Sequence, residues 1–381
     1  MRIGYFLSCE EFGPQELIRQ ARLAEAAGFD RVWISDHYHP WVDEQGHSPF
    51  VWSVIGALAT ATERLHVTTA VTCPTIRIHP AVIAQAAATS SVLLDGRFSL
   101  GVGSGEALNE HILGDKWPEA DVRLEMLEES IEVMRLLWQG GNQSHRGRHY
   151  TVENARLYTL PDEPPPVLVS GFGPKAIDVA ARIGDGFVTT TPDADAIGRY
   201  RSGGGTGPVH AGTKVCFMAD EDRARATAHR LWPNEALPGE LAQVLPTPAH
   251  FEQACELVTP DMLVTPVGPD IETHVASLQA YADAGVDELY VQQIGPEQEA
   301  FFDTWAGARR PPALRDVTPR RRHTGDADRR PPTPSPAAGR PRSPSSSPRA
   351  SGRSCRAPSE HAGRRSGSAA AGSSRAARPT R

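Results

Sequence analysis

Two short stretches hold the residues best suited to chemistry: Ser35-Asp36-His37-Tyr38-His39-Pro40-Trp41 and Gly101-Val102-Gly103-Ser104-Gly105-Glu106-Ala107-Leu108-Asn109-Glu110. An imidazole titrating near neutrality can accept a hydroxyl proton as hydride leaves the same carbon. That makes His37 a candidate acid/base, with Asp36 beside it free to orient backbone or a cofactor. Glu106 closes a run of alternating glycines, where missing side chains let backbone approach a flat ring and the carboxyl can protonate a ring nitrogen. Asn109 offers an amide to the same ligand. The plainer alternatives are a hydrogen-bonded loop histidine for His37 and a helix-capping acid for Glu106. The glycine spacing is GxGxG, so it is not the GxGxxG dinucleotide fingerprint.

Two further stretches have the same character. Ser170-Gly171-Phe172-Gly173-Pro174-Lys175-Ala176 runs from a strand into a helix through glycine. Free amides at a helix start attract phosphate, and Lys175 adds a positive charge; an ordinary strand-to-helix turn is the alternative. Ala70-Val71-Thr72-Cys73-Pro74-Thr75 ends another strand. Cys73 has no neighbouring base to lower its pKa, so it reads as a packed wall residue and not a nucleophile.

The elements that must position these residues alternate between strand and helix through residue 305. Strands are expected at 2–8, 31–36, 65–73, 97–103, 165–171, 186–191, 213–218 and 287–294. Eight parallel strands with crossover helices make an α/β fold, a closed (β/α)8 TIM barrel, whose chemistry gathers at the strand C-termini. Helical stripes such as Leu17-Ala21-Ala24 and Leu124-Leu127-Ile131-Met134-Trp138 have the spacing of faces packed on a sheet. Two insertions interrupt the alternation: a hairpin at 140–162 and a Pro- and Leu-rich excursion at 232–262.

Composition divides the chain near residue 305. The net charge is −7, of which residues 306–381 contribute +14 (18 Arg, no Lys, four acids), leaving −21 on residues 1–305. The basic segment has almost no large apolar side chains after Val317, so a disordered Arg/Pro/Ser/Ala-rich tail is expected. Without interleaved aromatics it is a poor nucleic-acid binder, and its composition also suggests a shifted reading frame in GC-rich coding sequence. The five cysteines are scattered, with neither disulfide nor zinc spacing and no metal site expected. No apolar run reaches membrane-spanning length and no leader pattern opens the chain. A cytoplasmic protein is expected.

SDHYHPW, AVTCPT, GVGSGEALNE and SGFGPKA, in this order and spacing, resemble the F420-dependent glucose-6-phosphate dehydrogenase group of the luciferase-like superfamily, over about residues 1–304. The resemblance implies a barrel that binds the deazaflavin coenzyme F420, usually as a homodimer. It assigns His37 as the acid/base, Glu106 to the deazaflavin ring nitrogen and Trp41 to stabilising the reacting pair. Asp36, Val71, Cys73, Ser104, Gly105, Asn109, Phe172, Gly173, Lys175 and Ala176 fall on cofactor-contact positions. A cis peptide is implied between Ala70 and Val71. Thr190 matches a phosphate-contact threonine, but the lysine that grips the sugar phosphate is replaced by Asp193. Residues 232–270 contain no Lys or Arg to supply the group's other cations. Glucose 6-phosphate is therefore not the expected substrate. Two alternatives remain: a flavin-dependent luciferase-like monooxygenase, and a non-catalytic barrel carrying a basic interaction tail.

Overall fold

Arg31–Ile34 and Glu288–Gln293 are buried at every position, as happens when helices cover one face of a parallel sheet and side chains fill the other. The computed structural model describes residues 1–308. Its strands in chain order are β1 (Arg2–Leu7), β2 (Arg31–Ile34), β3 (His66–Thr69), β4 (Phe98–Val102), β5 (Gln143–Arg146), β6 (Thr151–Ala155), β7 (Val167–Ser170), β8 (Gly186–Thr189), β9 (Val209–Val215) and β10 (Glu288–Gln293). Eight close a barrel in the order β1-β10-β9-β8-β7-β4-β3-β2, while β5 and β6 form a separate hairpin. All eight expected barrel strands and the hairpin insertion are present.

The helices are α1 (Pro14–Ala26), α2 (Val51–Ala61), α3 (Pro80–Leu93), α4 (Ala107–Glu110), α5 (Ala120–Trp138) and α6 (Pro174–Ile183). They continue as α7 (Ala194–Ser202), α8 (Glu221–Leu231), α9 (Leu241–Val244), α10 (Pro248–Cys255), α11 (Ile271–Ala284) and α12 (Gln298–Ala308). Pro14 and Pro80 each open a helix, where a missing N–H costs nothing. Helix α1 buries Leu17, Ala21 and Ala24, and α5 buries Leu127, Ile131, Met134 and Trp138. The 232–262 excursion resolves into short helical turns, among them α9 and α10. Among the described residues no helix is long and apolar enough to cross a membrane. The expected tail lies outside the described residues beyond Ala308.

Inside the barrel, Trp33 stacks on Tyr290 at 4.5 Å between ring centroids, and Phe6 meets Trp33 edge-on at 5.6 Å. Gly212 is required there, because a Cβ on it would stand 2.7 Å from the Trp33 ring. Two strands differ clearly from expectation, β9 at both ends and β3 at its C-terminal end. Residues 209–212 have weak strand character alone, yet β9 pairs with β10 along its length, from His210 beside Glu288 to Val215 beside Gln293. Tertiary pairing overrides local propensity here, and the strand ends at Val215 instead of 218. Strand β3 stops at Thr69, directly before the cis Ala70–Val71 peptide.

The lower end of the barrel is a buried charge cluster. Glu288 accepts from Arg31 at 2.6 Å and from the Tyr290 hydroxyl at 2.7 Å, and it also pairs with Arg2. His210 lies 3.3 Å from the same carboxylate, and His66 contacts Ser99 at 2.8 Å. Burial drives both imidazoles down to about 4, because Glu288 is already matched by Arg31 and Arg2. A histidine with a depressed folded pKa stabilises the fold above its unfolded pKa and loses that contribution as pH falls through the folded value. Unfolding stability should therefore drop between about pH 6.5 and 4, by at most about 3 kcal/mol per histidine. Urea midpoints across that window check this, and His210→Gln should flatten the slope.

Candidate active site

The closed barrel brings the C-terminal ends of β1, β2 and β4 to one rim, and the candidate catalytic residues meet there. Beyond β2 the chain turns so that His37 Nε2 lies 3.3 Å from Glu10 Oε1 and 3.9 Å from Glu106 Oε1. His37 Nδ1 is 3.0 Å from the His39 carbonyl, which can only accept, so Nδ1 carries the proton and donates. Nε2 is then the exchangeable position, flanked by two carboxylates. The Trp41 ring lies 4.9 Å from the imidazole, inclined at 60°. Trp41 is itself held by Gln45, which accepts from its N–H at 2.8 Å, and by edge contact with Phe251.

Glu106 is the first residue before α4, with its side chain partly open. It makes no side-chain cap bond to that helix, so the helix-capping alternative does not describe it. Its Oε1 instead accepts from the Asn109 carboxamide. The other end of that carboxamide accepts from Tyr38 N at 2.8 Å and His39 N at 3.0 Å. Asn109 therefore ties the two motifs together, and its amide is already engaged within the protein.

Asp36 is fully committed as well. Its carboxylate accepts from Thr72 at 2.8 Å and Arg77 at 2.9 Å, and Arg77 bonds Glu110 in turn. It anchors loops beneath the site. Cys73 is buried against Thr75, 2.9 Å away; burial, with Glu110 adding to it, pushes its thiol well up. Its reading as wall and not nucleophile agrees with this. Gly105 has φ +79°, and a Cβ there would lie 2.4 Å from Cys73 Sγ.

Across the rim, Phe172 and Gly173 are exposed and Ala176 is half-buried before and within α6. A Cβ on Gly173 would meet nothing within 4 Å, and no side chain caps the helix. Lys175 lies beside this ledge, paired with Asp121 at 2.7 Å. Val71 and Ser104 are half-buried on the β3 and β4 side. Thr190 is exposed after β8, and Asp193 caps α7 by accepting from Asp195 N and Ala196 N at 2.9 and 3.0 Å.

Sequence inspection missed Glu10 and its neighbour Glu11. Glu10 is buried and accepts from Ser8 at 2.8 Å and Ser35 at 2.6 Å. Burial alone would raise its pKa, but His37 and these hydroxyls hold it below the ordinary value. Glu11 accepts from Trp232, Gln292 and the Gly295 amide, yet burial still lifts it to about 7. Two adjacent carboxylates three residues past the end of a barrel strand are the signal that pointed to them. Among the described residues no group of three His, Cys, Asp or Glu is placed to hold a metal ion.

The family model for luciferase-like monooxygenases matches residues 1–288. The chain belongs to the luciferase-like family. It is 34% identical to the F420-dependent glucose-6-phosphate dehydrogenase of Amycolatopsis mediterranei, over 85% of this chain and all of that protein. The aligned share exceeds what residues 1–304 alone make up. Identity to the corresponding enzyme of Microbacterium testaceum is 36%, covering 79% of this chain and 94% of that one. Among solved structures, an F420-dependent secondary alcohol dehydrogenase in complex with an F420–acetone adduct superposes with a TM-score of 0.77. It is 30% identical, and the match covers 83% of this chain and 99% of that chain.

Gly105→Ala should destabilise the protein by about 1–3 kcal/mol, from a positive φ that alanine resists together with the contact on Cys73. Denaturation midpoints of Gly105→Ala with and without Cys73→Ala check it. The second substitution should restore only the part due to the sulfur contact.

Proposed function

We propose that residues 1–305 form an F420-dependent dehydrogenase that transfers hydride between a small uncharged alcohol/carbonyl pair and the deazaflavin. The reaction class follows from the named relatives, all F420-dependent dehydrogenases. A monooxygenase reading has less support from them. The observation that carries the mechanism is His37, with Nδ1 pinned as a donor and Nε2 between Glu10 and Glu106.

The rim suits a flat coenzyme with a phosphate. Gly105 lets the turn after β4 pack closely on Cys73, Gly173 opens onto free space, and the first amides of α6 are uncapped by any side chain. Ser104, Gly105, Val71 and Cys73 would line one side, and Phe172, Gly173, Lys175 and Ala176 the other. The exposed Lys175–Asp121 pair is worth little by itself, so Lys175 can turn toward a phosphate at small cost. Bound there, F420 would supply a two-electron hydride acceptor.

His37 Nε2 takes the hydroxyl proton as hydride departs, leaving the carbonyl product. The new imidazolium points its Nε2 at Glu10, whose buried carboxylate offsets the charge. Glu106 holds the proton that balances the transferred hydride, and Asn109 keeps its carboxyl in place. Trp41 packs against His37 and closes one side of the space around it. Asp36 acts on the cofactor through the loops it anchors.

An uncharged substrate is favoured because Asp193 caps α7. Its carboxylate occupies the helix amides that an anion would otherwise take, at the position where the resemblance to the sugar-phosphate enzymes implies a lysine. A homodimer is the proposed assembly, supported by the family resemblance and by the exposed apolar side chains Phe50, Val82 and Leu93 beside α2 and along α3. A cytoplasmic location is supported by the four cysteines among the described residues, all free and buried.

His37→Ala should lower alcohol turnover roughly 10²–10⁴-fold while F420 still binds. Steady-state bleaching of oxidised F420 and a separate coenzyme titration measure the two effects. Full turnover in the variant would overturn the assigned role. A high kcat/KM on glucose 6-phosphate would overturn the substrate assignment and leave the mechanism standing.

A further inference from the structure

Lys214 stands at the catalytic rim with its charge covered. It is the penultimate residue of β9 and pairs across the sheet with Gln292 of β10. Gly212, two residues earlier, faces Trp33 in the barrel interior, so Lys214 lies on the same inward face one layer higher. Its Nζ sits 4.2 Å above the Trp232 ring, and the indole N–H of Trp232 donates to Glu11 at 2.8 Å. Glu11 adjoins Glu10, the partner of His37. Trp232 also belongs to the apolar cluster on which Trp41 packs, so this corner borders the reacting centre from a second direction.

Glu235, in the excursion after α8, forms an ion pair with Lys214. Its other oxygen accepts from Thr265 at 3.2 Å, so the carboxylate is held from both sides. Both charged side chains keep some solvent access, at 16% and 29%. We infer that Glu235 masks Lys214 and thereby sets the charge preference of the substrate mouth: with the carboxylate in place the mouth takes a neutral alcohol, and without it Lys214 becomes a site for an anionic group. The net charge of −21 on residues 1–305 works in the same direction by repelling anions at long range. A cation left without its partner in a partly desolvated position recruits another anion.

The kinetic arm rests on the proposed dehydrogenase reading, while the binding arm does not. Inorganic phosphate is titrated into the full-length protein without coenzyme, followed by tryptophan fluorescence, in wild type, Glu235→Gln, Glu235→Ala and Glu235→Gln/Lys214→Met. Phosphate should bind the two single variants about tenfold or more tighter than wild type, and the double variant should lose the gain. The second arm compares kcat/KM for 3-hydroxybutyrate against butan-2-ol with F420. The anionic-to-neutral ratio should rise by about tenfold in Glu235→Gln and fall back in the double variant. Equal phosphate affinity in wild type and both single variants would overturn the inference. So would a gain that survives Lys214→Met. Failure of wild type to bind F420 in a parallel absorbance titration counts against the dehydrogenase reading and leaves the phosphate result to decide the role of Lys214.

Discussion

The carboxamide of Asn109 sets the geometry on which both halves of the site depend. Its oxygen takes two backbone amides from the loop after β2, and its nitrogen donates to Glu106 after β4. The imidazole and the carboxylate therefore sit on loops that cannot drift apart independently. Further ties fix the same loop: His39 Nδ1 meets the Leu108 carbonyl at 2.9 Å, and Ser48 donates to the His37 carbonyl at 2.7 Å. Positioning of this kind matters because proton transfer needs the acceptor within hydrogen-bond reach of the reacting hydroxyl. The barrel supplies the common rim, and side-chain-to-backbone bonds supply the finer placement.

Charge at that rim is balanced locally. Arg77 is held by Asp36 and Glu110, Lys175 by Asp121 and Lys214 by Glu235. These pairs differ in cost. The Lys175 pair is exposed and weakly held, whereas Arg77 is enclosed between two carboxylates, and loss of both would strand a buried guanidinium. The enclosed pair is therefore suited to scaffolding and the exposed one to ligand exchange. Lys214 lies between these extremes, over an indole face that supports an ammonium without neutralising it.

Much of this was legible in the sequence because strand ends announce themselves. His37 and Glu106 each follow an apolar run, with Pro40 shortly after the first and Gly105 directly before the second, so their place at the rim could be read from pattern. Lys214 could not, for a specific reason. Placing the strand at 213–218 makes Lys214 an early strand residue at the bottom of the barrel. The observed span Val209–Val215 makes it a late one at the top. A few residues of register moved it from scaffold to rim, and only pairing with β10 fixes that register. Glu10 was hidden differently: it lies in Cys9-Glu10-Glu11, acid-rich and just before a helix, where a solvated approach is the ordinary expectation. Its burial depends on Ser35, which is distant in sequence.

The adjacent carboxyls Glu10 and Glu11 raise an electrostatic problem that their surroundings resolve. Two neighbouring buried carboxylates repel each other, so full ionisation of both would weaken the charge that Glu10 offers His37. Glu10 has the imidazole and two hydroxyls, which outweigh burial and keep it ionised. Glu11 has an indole, an amide side chain and a backbone N–H, all neutral donors, and burial prevails at about 7. Near neutral pH Glu11 is thus only partly charged, and the negative charge concentrates on the residue that faces the imidazole. The same neutral donors tie Glu11 to Trp232, the ring beneath Lys214. The proton-accepting side and the substrate-charge side of the mouth are therefore joined through one carboxyl that carries no fixed charge of its own.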